Sequence, residues 1–325
     1  MQTRRVCLIA VFCICITSIL HLVFNNGVGD SHDGLSCMKT TKWDAVPEHW
    51  KLENNRRKQY AKEMCRSFGI PKPFNISDIG QITQLYVDDR HGLLFCEVPK
   101  VGCTNWKKLL LYLTHNYNYT EAMSLSQEDV HMRVLSFVTP LARFNEYGRK
   151  YRLQNYLKFM MVRHPMERVV SAYVDKLEDD HDPYLLWLGK RILKKYRKNP
   201  SEDALKTGRS VTFQEFINYL LDETKTKWGK KNIDIHWRTY DNLCHPCSID
   251  YDVIGKYETL ETDSNNILDM IGSQIRYPSF NKSSKTATFM DKYYKQLSPG
   301  IVQKIWELYR RDAEIYGYDY SVKQN

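Results

Sequence analysis

Leu93-Leu94-Phe95-Cys96-Glu97-Val98-Pro99-Lys100-Val101-Gly102-Cys103-Thr104-Asn105-Trp106 is the stretch that decides the fold. Leu93 to Val98 is a short apolar run that reads as a buried strand. Pro99 to Gly102 make a turn, after which Trp106, Leu109, Leu110 and Leu113 recur on one face of a helix. A helix N-terminus presents free N–H groups and the positive end of its dipole, so this turn is a natural cradle for a phosphate-like anion. Gly102 lets the backbone approach closely, Lys100 brings a cation on a mobile stem, and Thr104 offers a hydroxyl. The lysine precedes the glycine and the GxxxxGK[ST] spacing is missing, so the turn is not a Walker A loop.

A second unit repeats the pattern. Phe159, Met160, Met161 and Val162 read as a buried strand, Arg163-His164-Pro165 as its turn, and Val169, Val170, Tyr173, Val174 and Leu177 as the stripe of a helix. Ligands of open parallel sheets bind beyond the carboxyl ends of the strands, so both turns are expected at one crevice. There Arg163 would fork onto a phosphate and Ser171 would hydrogen-bond it, with Arg168 on the same segment. Glu167 reads as a surface carboxylate. Asp252 to Tyr257 is a third candidate strand, followed by helical spacing through Leu260, Ile267 and Ile271, and Ile301, Ile305, Leu308 and Tyr309 stripe a closing helix. Strands alternating with helices predict an α/β fold with a central parallel sheet flanked by helices. Between them, Arg191, Lys194, Lys195, Arg197 and Lys198 concentrate positive charge, which reads either as a solvated helix face or as a seat for a polyanion.

The 325 residues carry a formal net charge of +9 and are 42% hydrophobic, a balance that excludes wholesale disorder and a multi-spanning membrane protein. Residues 6–24 are nearly continuously apolar and close to the ~20 residues a spanning helix needs. Arg4 and Arg5 precede this run and no Lys or Arg follows until Lys39. A signal anchor is therefore expected, with residues 1–5 cytosolic and the rest lumenal. Residues 25–85 read as a polar stem and residues 86–325 as the catalytic domain. Asn75, Asn118 and Asn281 head N-glycosylation sequons. Six cysteines lie beyond the anchor, enough for 15 disulfide pairings. Cys244-His245-Pro246-Cys247 lacks a partner motif for zinc, and a local Cys244–Cys247 disulfide is the expectation.

PKVGCTNW resembles the 5′-phosphosulfate loop of sulfotransferases, and RHPMERVVSAY resembles their 3′-phosphate segment. The likeness continues through IDIHW, LCHPC and YDVIGKYETLETDSN to the C-terminal helix. The pattern is similar to the Golgi carbohydrate sulfotransferases, the group of chondroitin 4-, dermatan 4- and HNK-1 sulfotransferases, with LCHPC and GKYETLE most like the chondroitin 4-O-sulfotransferases. The resemblance implies a P-loop-like sulfotransferase fold, 3′-phosphoadenylyl sulfate (PAPS) as sulfuryl donor, and no metal. It implies that Pro99, Lys100, Val101, Gly102, Cys103, Thr104 and Asn105 hold the 5′ end of the donor. Arg163, His164, Pro165, Arg168 and Ser171 would hold its 3′-phosphate. Gly102 stands where relatives often carry Ala, a change the loop is expected to tolerate.

The acceptor hydroxyl needs a base. His236 is the first candidate, because neutral imidazole accepts a proton near physiological pH, and Glu97 is the second. The implied acceptor is the 4-hydroxyl of N-acetylgalactosamine in chondroitin, whose carboxylates Arg191 to Lys198 would hold. Dermatan, a GalNAc-terminated N-glycan or an HNK-1-type glucuronic acid are same-family alternatives, and a non-catalytic lumenal glycan-binding protein is the alternative of another class. The anchor and sequons argue against a nucleic-acid partner.

Overall fold

The computed structural model describes residues 41–69, 82–178, 186–225, 233–279 and 285–320. The expected anchor at 6–24 and the sequons at Asn75 and Asn281 lie outside the described residues. Among those residues no helix is long and apolar enough to cross a membrane.

The chain runs through α1 (Glu48–Ser67), β1 (Leu85–Asp88), β2 (Leu93–Cys96), α2 (Cys103–Leu113), α3 (Tyr119–Ser124), α4 (Gln127–Phe137), β3 (Thr139–Pro140) and α5 (Glu146–Asn155). It continues with β4 (Leu157–Val162), α6 (Pro165–Tyr173), α7 (Leu186–Tyr196), α8 (Glu202–Thr207) and α9 (Phe213–Glu223). The last elements are α10 (Tyr240–Cys244), β5 (Val253–Lys256), α11 (Leu260–Met270), α12 (Lys285–Tyr294) and α13 (Pro299–Ile315).

The strands form one five-stranded sheet in the order β3-β1-β2-β4-β5. The three strands expected from the sequence, β2, β4 and β5, are parallel neighbours, with Phe95 opposite Phe159 and Phe159 opposite Val253. The sheet is mixed rather than parallel throughout, because β1 pairs antiparallel with both β2 and β3. The cause is local. Only Asp89 to Gly92 separate β1 from β2, and so short a link can join antiparallel strands but not parallel ones. All six residues of β4 are buried, as a strand covered by helices on both faces requires. Trp106 of α2 packs on Phe159 at 4.4 Å between ring centroids, and Phe95 stacks on Phe159 at 4.9 Å. These contacts fix the start of α2 over the end of β2.

Part of the stretch expected as a stem is packed into the domain. In α1, Trp50, Asn54, Ala61 and Cys65 are buried on one stripe. Trp50 Nε1 donates to Asp263 Oδ1 at 2.7 Å, and Arg57 Nη1 donates to Asp263 Oδ2 at 2.9 Å. Asn54 donates to the Asp252 carbonyl and accepts from the Ile254 N–H, which satisfies the open edge of β5 as a neighbouring strand would. A narrow inward stripe on an otherwise charged helix explains why composition pointed to a stem.

The expected Cys244–Cys247 disulfide is corrected. Cys244 bonds to Cys96 at the end of β2, and Cys247 bonds to Cys65 on α1. Cys244 is fully buried at the end of α10, and His245, with φ +46°, turns the chain so that the two sulfurs face different elements. Cys103 is a free, buried thiol.

Candidate functional site

Two turns at the carboxyl ends of parallel strands build the site. Between β2 and α2, Lys100 (φ +71°) and Gly102 (φ +77°) both adopt the left-handed conformation. A Cβ on Gly102 would lie 2.5 Å from both Leu260 Cδ2 and Tyr277 Oη. In this chain the position suits glycine: the backbone is strained for an L side chain, and buried neighbours occupy the space. Tyr277 Oη donates to the Gly102 carbonyl at 3.0 Å and helps hold the turn. No side chain caps α2, so the N–H groups of its first turn keep their anion-binding capacity.

A cleft of about 970 Å³ opens on this turn. Of the residues singled out from the sequence, Glu97, Pro99, Lys100, Gly102, Cys103, Thr104, Asn105, Arg163, Ser171 and His236 line it. The two turns meet at one crevice as expected from the sequence, and the parallel pairing of β2 and β4 brings this about.

Lys100 Nζ is 3.3 Å from Asp175 Oδ2. Burial pulls its pKa down from the usual lysine value, and Asp175 opposes that pull. Arg163 donates from Nε to Glu167 Oε2 at 3.2 Å and from Nη1 to the Lys100 carbonyl at 3.3 Å. Its guanidinium carbon sits 4.2 Å from the centroid of the Tyr257 ring. Glu167 is thus an orienting partner for Arg163, and the sequence had suggested only a surface carboxylate. His236 Nδ1 lies 2.5 Å from Asp234 Oδ1. Burial raises the carboxyl of Asp234, but the His236 side chain and backbone N–H together with Arg238 outweigh it, so its pKa ends below the usual carboxylate value. Nδ1–H donating to that carboxylate leaves the Nε2 lone pair as the ring's acceptor.

Other expected residues lie behind the cleft walls. Arg168 is 1% exposed and donates to the carbonyls of Pro99, Arg238 and Ile235. Each of its three nitrogens donates to a backbone carbonyl, so the buried fork ties backbone segments together behind the cleft. His164 caps α6: Nδ1 accepts from the Met166 N–H and Nε2 lies 2.9 Å from the Asp319 carbonyl, with Pro165 at the first helical position. Val101 is buried. Glu97 Oε1 is 2.6 Å from Lys107 Nζ, and both side chains are almost fully buried. That ammonium competes for the lone pairs Glu97 would need as a base. Burial pushes the Cys103 thiol up, away from nucleophilic thiolate.

The basic run on and after α7 faces α9. Arg191 pairs with Glu223 at 2.6 Å, Lys195 with Asp222 at 3.3 Å, and Arg197 with Glu215 at 2.7 Å. Lys194 and Lys198 are exposed. Asn118 caps α3, its side chain accepting from the Glu121 N–H at 2.9 Å, and is exposed.

Sequence reasoning missed Asp234, Asp175 and His131. Asp234 stands two residues before His236 and was legible as a partner. His131 also lines the cleft, from α4, and a single histidine in an amphipathic helix carries no sequence signal.

A family model described as "Sulfotransferase family" matches residues 83–319. The chain is 37% identical to carbohydrate sulfotransferase 9 of Homo sapiens over 87% of its own length and 63% of that protein. It is 33% identical to carbohydrate sulfotransferase 11 of Mus musculus, over 82% of this chain and 76% of that one. It is 35% identical to carbohydrate sulfotransferase 8 of Homo sapiens, over 81% and 62% respectively. The chain thus spans just under two thirds of the two human relatives. No solved structure matches it.

Proposed function

The chain belongs to the sulfotransferase family, and on that premise we propose that it transfers a sulfuryl group from PAPS to the 4-hydroxyl of N-acetylgalactosamine in chondroitin. The observation that carries this reading is a single cleft lined by Lys100, Arg163, Ser171, His236 and the uncapped start of α2, with Asp234 held against His236. These residues fit a doubly phosphorylated donor: unpaired N–H groups and two cations supply the counter-charge that its phosphates need.

PAPS would bring an activated sulfuryl group, bonded to a phosphate leaving group. Lys100 neutralises the charge that develops on the bridging oxygen. Thr104 and the first-turn N–H groups of α2 hold the 5′-phosphate. Arg163, preset by Glu167 and Tyr257, grips the 3′-phosphate beside Ser171. His236 Nε2 takes the hydroxyl proton, while Asp234 holds the ring and steadies the resulting imidazolium. Arg168 acts by position, fixing Pro99 and Ile235.

The choice of chondroitin rests on the LCHPC and GKYETLE resemblance. Among the described residues Lys194 and Lys198 are the cations of the basic run with no acidic partner, and reversing both charges should weaken polymer binding while sparing PAPS. We place the protein in the Golgi membrane as a single-pass type II protein anchored by residues 6–24, glycosylated at Asn75, Asn118 and Asn281. Two disulfides suit an oxidising lumen.

Incubating the full-length, detergent-solubilised chain with labelled PAPS and desulfated chondroitin, dermatan or a GalNAc-terminated oligosaccharide tests this. Disaccharide analysis should place sulfate on the 4-position of chondroitin GalNAc. Transfer to another acceptor would reassign the substrate, and PAPS binding without transfer to any would favour a glycan-binding protein.

A further inference from the structure

Beside the cleft, Lys107 Nζ is 2.6 Å from Glu97 Oε1 and 2.7 Å from His131 Nδ1. Lys107 and Glu97 are each 3% exposed, so the ammonium is fixed between the carboxylate and the imidazole. An ammonium has only N–H donors to offer. His131 Nδ1 therefore accepts, and the proton of the neutral ring sits on Nε2. Nε2 has no hydrogen-bond partner among the described residues and is not sealed from solvent. His131 lines the cleft, and Nε2–H is the donor its neutral ring has left to offer there. His236 has the opposite arrangement, with Nδ1 on Asp234 and the Nε2 lone pair available. One imidazole in this cleft donates and the other accepts.

The wall that carries His131 differs from the wall that carries Lys100 and Arg163. Gln127, Glu128, Met132 and Leu135 line the cleft from α4, and none is a cation. Glu128 would repel a phosphate. Met132 and Leu135 are 60% and 45% exposed and give a sugar's C–H face a surface to pack on.

We propose that His131 is an acceptor-binding residue, whose Nε2–H donates to an oxygen of the acceptor sugar and selects the hydroxyl that reaches His236. The inference deepens the transferase reading above and rests on it. The charged and titratable groups facing His131 are Lys107, Glu97, His236 and Lys176. Burial first, then Lys107, holds its pKa down to about 4. The donor therefore persists unchanged between about pH 5 and 8.

The test uses the full-length chain and a desulfated chondroitin hexasaccharide. Its affinity is measured by calorimetry with adenosine 3′,5′-bisphosphate bound, and KM and sulfate position are measured in the transfer assay. His131→Ala should weaken hexasaccharide binding and raise its KM about three- to tenfold, the size of one lost neutral hydrogen bond. It should leave bisphosphate affinity unchanged and spread sulfate onto other hydroxyls. His131→Asn, which keeps an N–H donor, should restore part of the affinity and the position. Unaltered hexasaccharide affinity in His131→Ala, or an equal loss of bisphosphate affinity, would overturn the assignment. A wild-type chain that binds the hexasaccharide without transferring sulfate would instead sink the transferase reading and leave the calorimetric comparison intact.

Discussion

Arg168 Nε donates to the Pro99 carbonyl at 3.0 Å, which ties α6 to the residue before Lys100. The same guanidinium donates from Nη2 to the Ile235 carbonyl at 3.0 Å, the residue before His236. One buried side chain thereby sets the spacing between the cation and the base proposed to act on either side of the transferred group. Arg168→Lys keeps the charge but loses the planar fork, leaving buried carbonyls unpaired at about 1–3 kcal/mol each. Melting temperature should fall and transfer should drop at least about tenfold, since misplaced reactants lose rate steeply. Wild-type rates in this variant would mean that the two segments hold themselves.

Lys100→Ala removes the cation proposed to act at the bridging oxygen. Losing one such stabilising group costs about 10²–10³ in rate. Labelled-sulfate incorporation should fall by that factor with little change in melting temperature, and full activity would refute the loop assignment.

Gly102→Ala places a Cβ 2.5 Å from Tyr277 Oη at φ +77°. The strain is on the order of 1–2 kcal/mol. Because the loop must shift to relieve it, affinity for adenosine 3′,5′-bisphosphate should weaken about tenfold by calorimetry; equal affinity would show that Leu260 and Tyr277 yield freely.

Non-reducing peptide mapping should recover Cys65 with Cys247 and Cys96 with Cys244, and no Cys244–Cys247 peptide. The bridges span 182 and 148 residues, so each restrains a long loop of the unfolded chain. Replacing Cys65 and Cys247 together by serine should cost about 2–5 kcal/mol in denaturant unfolding.

Asp312 on α13 accepts the Tyr240 N–H at 2.7 Å, and burial pushes its pKa up to about 7 from 3.8. Between those values the folded chain holds a proton that the unfolded chain has released. This residue's contribution to stability therefore grows as pH falls from about 7 to about 4. Asp312→Asn removes that slope from the variant, so the difference between variant and wild-type melting temperatures should change with pH between about 4 and 7; parallel curves would contradict the raised value.

How much was legible depended on the range of the interaction. The strand–turn–helix periods at Leu93–Trp106 and Phe159–Leu177 are local, and the structure has β2, α2, β4 and α6 there. β1 and β3 were not read, because short edge strands carry too few residues for a period. Arg163 and Arg168 look alike in sequence, five residues apart on one segment. Only packing separates them: Arg163 keeps an edge on the cleft, and Arg168 is enclosed by three carbonyls. The basic run read as a polyanion seat, while its nearest acids, Glu215, Asp222 and Glu223, come from a helix that the pattern alone did not bring close.

By itself the sequence determined the two strand–turn–helix units, the strand and helix order around them, and the family to which the chain belongs, because these depend on neighbours within a dozen residues. The tertiary structure alone decided which cysteines pair, that α1 closes the edge of β5, and that His131 and His236 line one cleft. Those outcomes depend on groups far apart in the chain, whose meeting is set by packing and by which buried polar atoms must find partners.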